Sequence, residues 1–155
     1  MPRLTFDTPT GPFTVTEDGG AIIHAEWTAE GDPPGRDETP LLIEARRQIA
    51  DYYAGTRAAF DLPLDVQAST FQRAVCDAML AIPLGETLTY GDIAAALGVP
   101  AQAVGQACGG NPIPLIIPCH RVMGAGGRLT GFSGRGGVET KVWLLRHEKA
   151  AGLLI

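Results

Sequence analysis

The sequence predicts two consecutive units. The first is an α/β N-terminal domain over residues 1–65, a small antiparallel sheet plus a helix. The second is a mostly α helix-turn-helix C-terminal domain over residues 66–155. Three observations predict this: apolar residues recur at spacing two through the first thirty positions, they recur at helical spacing from Ser69 onward, and the charge balance reverses between the halves. Residues 1–65 carry 5 Lys+Arg against 12 Asp+Glu, and residues 66–155 carry 7 against 5, within a net charge of −5 over 155 residues. An acidic half beside a mildly basic one permits a polyanionic partner for the second half without requiring one.

The elements follow in order. Leu4, Phe6, Phe13 and Val15 alternate with threonines, and Ala21–Trp27 forms a further strand pattern. Gly11-Pro12 and Asp18-Gly19-Gly20 are the turns of an antiparallel meander. Gly31–Gly35 is a loop by composition. A helix is expected over Thr39–Tyr53, with Thr39 as cap, Pro40 in its first turn, and Leu42, Ile43, Ile49 and Tyr53 on one face. Phe60–Leu64 reads as a short strand or extended linker. Phe71, Val75, Met79 and Ile82 mark a helix over Ser69–Ile82, closed by Pro83 and Gly85. Thr89, with Asp92 three residues on, caps a second helix that ends at Gly98. Pro100 opens a third, over Ala101–Ala107, and Glu139–Ala150 forms the last.

A content of 45% hydrophobic residues and a mean hydropathy of +0.09 exclude gross disorder. No apolar stretch approaches a membrane span, and the Leu115-Ile116-Ile117 run is flanked by prolines. The first residues lack the basic-then-apolar pattern of a signal peptide. Three cysteines are too few for a disulfide scaffold. The expectation is a monomeric, cytoplasmic protein with no membrane association.

Ala94, Gly98 and Val104 have helix-turn-helix spacing: a small residue for close packing, a glycine for the turn, a buried aliphatic on the second helix. Many helical hairpins share that spacing. The third helix is nearly bare, with Ala101, Ala103, Gly105 and Ala107, and no Lys or Arg lies between Asp92 and Pro118. Such a helix either presses its backbone against a groove wall and reads shape, or packs its small residues against the rest of the protein.

Pro118-Cys119-His120-Arg121 concentrates the chemistry. The aliphatic run before it reads as a buried, strand-like segment that Pro118 halts. A thiol of ordinary pKa is only a few per cent thiolate at neutral pH, so it needs a base or a positive neighbour. His120 is the nearest base, and the last helix offers Glu139 and Glu148 to orient it. The alternative is an inert core cysteine, the commonest fate of a free thiol. Cys76 and Cys108 read as core, with Cys108 at the end of the bare helix also a candidate pocket lining. His24 has no partner at metal-ligand spacing, His147 beside Glu148 reads as surface or satisfied core, and no Cys-x-x-Cys pair or phosphate-cradling loop occurs, so neither a metal nor a nucleotide is expected.

The run Asn111-Pro-Ile-Pro-Leu-Ile-Ile-Pro-Cys-His-Arg-Val122 resembles the active-site signature of the O6-alkylguanine-DNA alkyltransferases. Phe71-Gln-Arg-Ala-Val75, Ile82-Pro-Leu-Gly-Glu-Thr-Leu-Thr-Tyr-Gly91, Leu129-Thr-Gly-Phe-Ser133 and Lys141-Val-Trp-Leu-Leu-Arg-His-Glu148 are similar in order and spacing. The likeness is strong over residues 69–150 and loose before them. It implies single-turnover repair, in which an alkyl group passes from guanine O6 in duplex DNA to Cys119 with no cofactor. His120 is then a water-mediated base, Glu148 its orienting acid and Asn111 a brace for the turn. Tyr90 assists flipping of the alkylguanine, and the helix bearing Ala101, Gln102, Ala103 and Gly105 enters the minor groove, with Arg121 also at the DNA. Val122, Leu129, Ser133 and Cys108 wall the guanine pocket. Gln102 stands where the family usually has an arginine that fills the gap left by the flipped nucleotide. The zinc ligands of some members are absent, and Cys119 itself excludes the relatives that lack the cysteine.

Overall fold

The computed structural model describes residues 1–129 and 137–150. The chain divides into two compact units, Met1–Gln67 and Ala68–Ile155.

In the first unit, β1 (Arg3–Phe6), β2 (Phe13–Asp18) and β3 (Ala21–Trp27) form an antiparallel sheet in the order β1-β2-β3. Gly19 and Gly20 turn β2 into β3 with φ of 60° and 84°, a conformation that two-residue hairpins need and side chains resist. The helix α1 (Pro40–Tyr53) begins where the sequence predicts, with the Thr39 hydroxyl accepting from the Leu42 amide. Its buried stripe is Leu42, Ala45, Gln48, Ile49 and Tyr52. Ile43, expected on that face, is exposed, and Tyr53 is only half-buried, its hydroxyl hydrogen-bonded to Thr10. The stripe follows the 3.6-residue period from Leu42, and Ile43 lies one residue, about 100°, off it. The expected extension near Phe60–Leu64 joins the sheet through one parallel bridge, Ile22 to Leu64.

The second unit opens with α2 (Thr70–Leu80), capped by Ser69, its Val75, Cys76 and Met79 buried. A two-residue strand, β4 (Leu88–Thr89), leads directly into α3 (Tyr90–Leu97). Thr89 and Asp92 form the expected reciprocal capping box. Gly98 ends α3 in the left-handed conformation at φ 68°, which swings the chain into α4 (Ala101–Gly109) after Pro100. Ala94 and Val104, the small and aliphatic positions of the helix-turn-helix pattern, are buried.

Leu115–Ile117 is not a strand. Leu115 sits at φ 72° and the Ile117 amide bonds back to the Ile113 carbonyl, so the apolar run coils tightly in the core. A 3-10 turn over Cys119–Arg121 follows, then β5 (Val122–Met123), which pairs in parallel with β4. The last helix, α5, spans Val138–His147. No helix among the described residues is long and apolar enough to cross a membrane.

Candidate active site

Cys119, His120 and Arg121 occupy one 3-10 turn with all three side chains buried, Cys119 being 5% exposed. The turn is fixed from both sides. Upstream, the Asn111 amide donates to the Ile117 carbonyl at 2.9 Å, and its oxygen accepts from the Ile113 amide at 3.0 Å. One buried side chain thus closes the loop between α4 and the cysteine. Downstream, the pairs Leu88–Val122 and Thr89–Met123 tie the turn to the residue preceding Tyr90.

The acid comes from the end of α5. Glu148 Oε2 lies 2.6 Å from His120 Nε2, and Glu148 Oε1 accepts from Arg121 Nε at 2.8 Å. Arg121 also donates from Nη1 to the Ile82 carbonyl at 2.7 Å. Burial raises the Glu148 carboxyl, but the hydrogen bonds from His120 and Arg121, with the Arg121 charge, outweigh it and hold the group at about 2. Glu148 is therefore ionised. Burial dominates at His120 and lowers its pKa, so the imidazole is neutral at pH 7. With Nε2–H aimed at the carboxylate, the lone pair sits on Nδ1, which is buried and has no hydrogen-bond partner among the described residues. The arrangement is a carboxylate-oriented imidazole with its basic nitrogen free to accept a proton.

Burial pushes the Cys119 thiol up to about 11, while the Asn111 amide and the Lys141 charge pull it back down. Cys119 at rest is a protected thiol, and it needs a base to become a nucleophile. Lys141 opens the terminal motif, but the sequence assigns it no role. It is 1% exposed, and its Nζ donates to the Val122 carbonyl at 2.6 Å. Burial lowers its pKa, and Cys119 and Cys108 oppose that shift. Helical spacing held the signal, because Lys141 and Glu148 share one face of α5 with the buried Leu144 and Leu145.

The other expected residues fall as follows. Arg121, expected at the DNA, is turned inward, because the buried Glu148 carboxylate and the Ile82 carbonyl take its donors. Tyr90, Ala101, Gln102 and Gly105 line one cavity of about 550 Å³, and Ala103 is half-buried beside them. Val122 is fully buried, and Leu129 packs on Met123, Leu145 and Ala150. Cys108 is buried with its sulfur 3.6 Å from that of Met79, and burial pushes its thiol to about 12. Ser133 lies outside the described residues. Of the two candidate acids, Glu139 is exposed in the first turn of α5 and takes no part. No group of His, Cys, Asp and Glu among the described residues could hold a metal.

Comparison with known proteins gives a consistent result over the whole length. Residues 70–150 match the family model described as "6-O-methylguanine DNA methyltransferase, DNA binding domain". Residues 3–66 match the one described as "6-O-methylguanine DNA methyltransferase, ribonuclease-like domain". The chain is 42% identical over 152 residues to the methylated-DNA–protein-cysteine methyltransferase of Mycobacterium tuberculosis, with 94% of this chain and 91% of the relative covered. It is 39% identical over 155 residues to the constitutive one of Bacillus subtilis, with 94% and 93% covered. Among solved structures, the Mycobacterium tuberculosis O6-methylguanine methyltransferase superposes with a TM-score of 0.85 at 38% identity, over 99% of this chain and 96% of that one. The Mycobacterium tuberculosis OGT in complex with DNA gives 0.85 at 41% identity, over 96% and 93%.

Proposed function

The chain belongs to the 6-O-methylguanine-DNA methyltransferase family, and on that footing we propose that Cys119 is the acceptor through which it repairs DNA. Its activity is the transfer of a methyl or larger alkyl group from O6 of guanine in DNA to a protein cysteine. The observation that carries the assignment is the buried relay: Cys119 next to His120, the His120 ring held by Glu148, and Nδ1 left as a free base.

His120 Nδ1 accepts the thiol proton, directly or through a water, and Glu148 at 2.6 Å stabilises the imidazolium that forms. The sulfur attacks the alkyl carbon in line. The C–O6 bond breaks, and its electron pair returns to the guanine. One proton, equal to the one lost by the thiol, ends on the base, which leaves as ordinary guanine. The product is a thioether, and the site holds nothing that could expel an alkyl group from it, so each molecule reacts once. No cofactor enters.

A buried sulfur cannot reach a stacked base. The alkylguanine must rotate out of the duplex, at a cost of a few kcal/mol that its weakened pairing reduces. Tyr90, at the start of α3, crowds the target nucleotide. The small residues of α4, Ala101, Ala103 and Gly105, let that helix enter the minor groove as a monomer. Val122 and Leu129 wall the base pocket.

Intact-mass analysis after incubation with an O6-methylguanine duplex tests the assignment. The expected result is one added methyl per molecule, mapped to Cys119, and none in Cys119→Ser, which still binds the duplex. A gel shift with unchanged mass would identify a sensor of damage rather than a repair protein.

A further inference from the structure

The elements that the DNA reading assigns to the duplex supply no cation. From Ala74 to His120 the chain contains no Lys or Arg, and this stretch supplies β4, α3 and α4. Of the other cations described in the second unit, Arg121 and Lys141 are buried within the site, and the exposed Arg73, Arg128, Arg146 and Lys149 lie outside β4, α3 and α4. The cavity of about 550 Å³ beside α4 is edged by Tyr90, Ala101, Gln102, Gly105, Gln106 and Ala125, with no ionisable group other than the tyrosine. Phosphate neutralisation by this face is therefore weak, and some other interaction must hold DNA there.

Two features of α4 identify it. Gln102 and Gln106 are four residues apart, so their exposed side chains share one face of the helix, and both line the cavity. Gly105 lies between them, inside the helix. A Cβ there would meet nothing within 4 Å, and its φ is not positive. Neither internal packing nor backbone conformation requires that glycine, yet a mid-helix glycine weakens a helix relative to alanine. The space it leaves opens onto the same cavity and lets a partner approach the helix backbone closely.

Resting on the DNA-repair reading above, we infer that Gln102 and Gln106 form an amide pair that reads base edges in the minor groove beside the flipped nucleotide, with the groove floor approaching α4 at Gly105. Each amide carries both a donor and an acceptor. The NH2 donates to adenine N3 or to thymine or cytosine O2. The oxygen accepts from guanine N2–H, the one group that distinguishes a G·C from an A·T pair in that groove. Recognition by this chain is thus carried by hydrogen bonds to bases more than by charge, and it depends on the pair next to the lesion.

The test is fluorescence anisotropy on duplexes containing O6-methylguanine, with G·C or A·T as the neighbouring pair, between 50 and 200 mM NaCl. For the wild-type chain the expected slope of log affinity against log salt is shallow, about −2 or less in magnitude. Gln102→Ala and Gln106→Ala, which favour the helix and so keep the fold, each weaken binding several-fold at every salt concentration, leave the slope unchanged and shrink the G·C/A·T difference. Gln102→Arg steepens the slope by about one. A wild-type slope of about −5 or steeper, or alanine variants that bind every duplex as wild type does, overturns the inference while the repair reading stands. Absence of a methyl adduct on wild-type Cys119 in the same duplexes overturns the repair reading and this inference with it.

Discussion

Replacing Glu148 by Gln should be among the most damaging isosteric changes available in the chain. Its carboxylate is fully buried, is approached by two donors at 2.6 and 2.8 Å, and is held at about 2 by His120 and Arg121. The Arg121 side chain is itself only 9% exposed. Glutamine keeps the shape and one acceptor oxygen but removes the charge, leaving a buried guanidinium without its counterion. Breaking one side of a buried pair costs about 3–5 kcal/mol, against ~0–1 for an exposed one. For a chain of this size each kcal/mol lowers the melting temperature by about 2–4 °C, so a fall of roughly 10 °C is expected. Urea unfolding and calorimetry measure it. Adding Arg121→Met to Glu148→Gln removes the stranded cation and should recover part of the loss. The transfer rate falls too, by about 10²–10⁴, because the imidazolium loses its counterion. A stability loss below about 1 kcal/mol would refute the reasoning, since it would mean that water already screens the pair.

Three further outcomes follow from the same geometry. Thermal stability should decline as pH falls below 6.5, because His120 is held neutral in the fold and protonates in the unfolded chain; Glu148 adds a second loss between 4.5 and about 2, and a flat profile from pH 7 to 5 would contradict this. Lys141→Met keeps the buried stem but removes the charge that lowers the Cys119 thiol, so iodoacetamide should alkylate Cys119 roughly tenfold more slowly at pH 8; an unchanged rate would mean that the cation does not act on the sulfur. Gly98→Ala forces a side chain onto a φ of 68° at the turn between α3 and α4 and should cost about 1–2 kcal/mol in urea unfolding, with no loss meaning that the turn relaxes.

Much of the fold was legible because its signals are local. The Gly19-Gly20 hairpin, the Thr39 cap and the Thr89/Asp92 capping box each specify a boundary within four residues, and the structure has all of them. Short apolar runs carry no such signal. Leu115–Ile117 has the composition of a strand, but three residues show no period, and the turn at Leu115 is set by the Asn111 brace and the surrounding core. The sequence places Arg121 at the DNA and gives Lys141 no role, yet both are buried, whereas Glu139, a candidate acid, is exposed. Arg121 and Lys141 are buried because partners from distant elements, Glu148, Ile82 and Val122, take their donors. Adjacency exposed the Cys119–His120 pair. The residues alone left Glu139 and Glu148 as equal candidates for its acid, and only the placement of α5 separates them.

The most direct measurement is peptide-mapped mass spectrometry of the chain after one exposure to excess O6-methylguanine duplex. A single methyl on Cys119, with Cys76 and Cys108 unmodified and no further uptake on a second exposure, is the predicted result. A methyl on either of the other two cysteines, or an unmodified chain that has bound its DNA, would contradict the account.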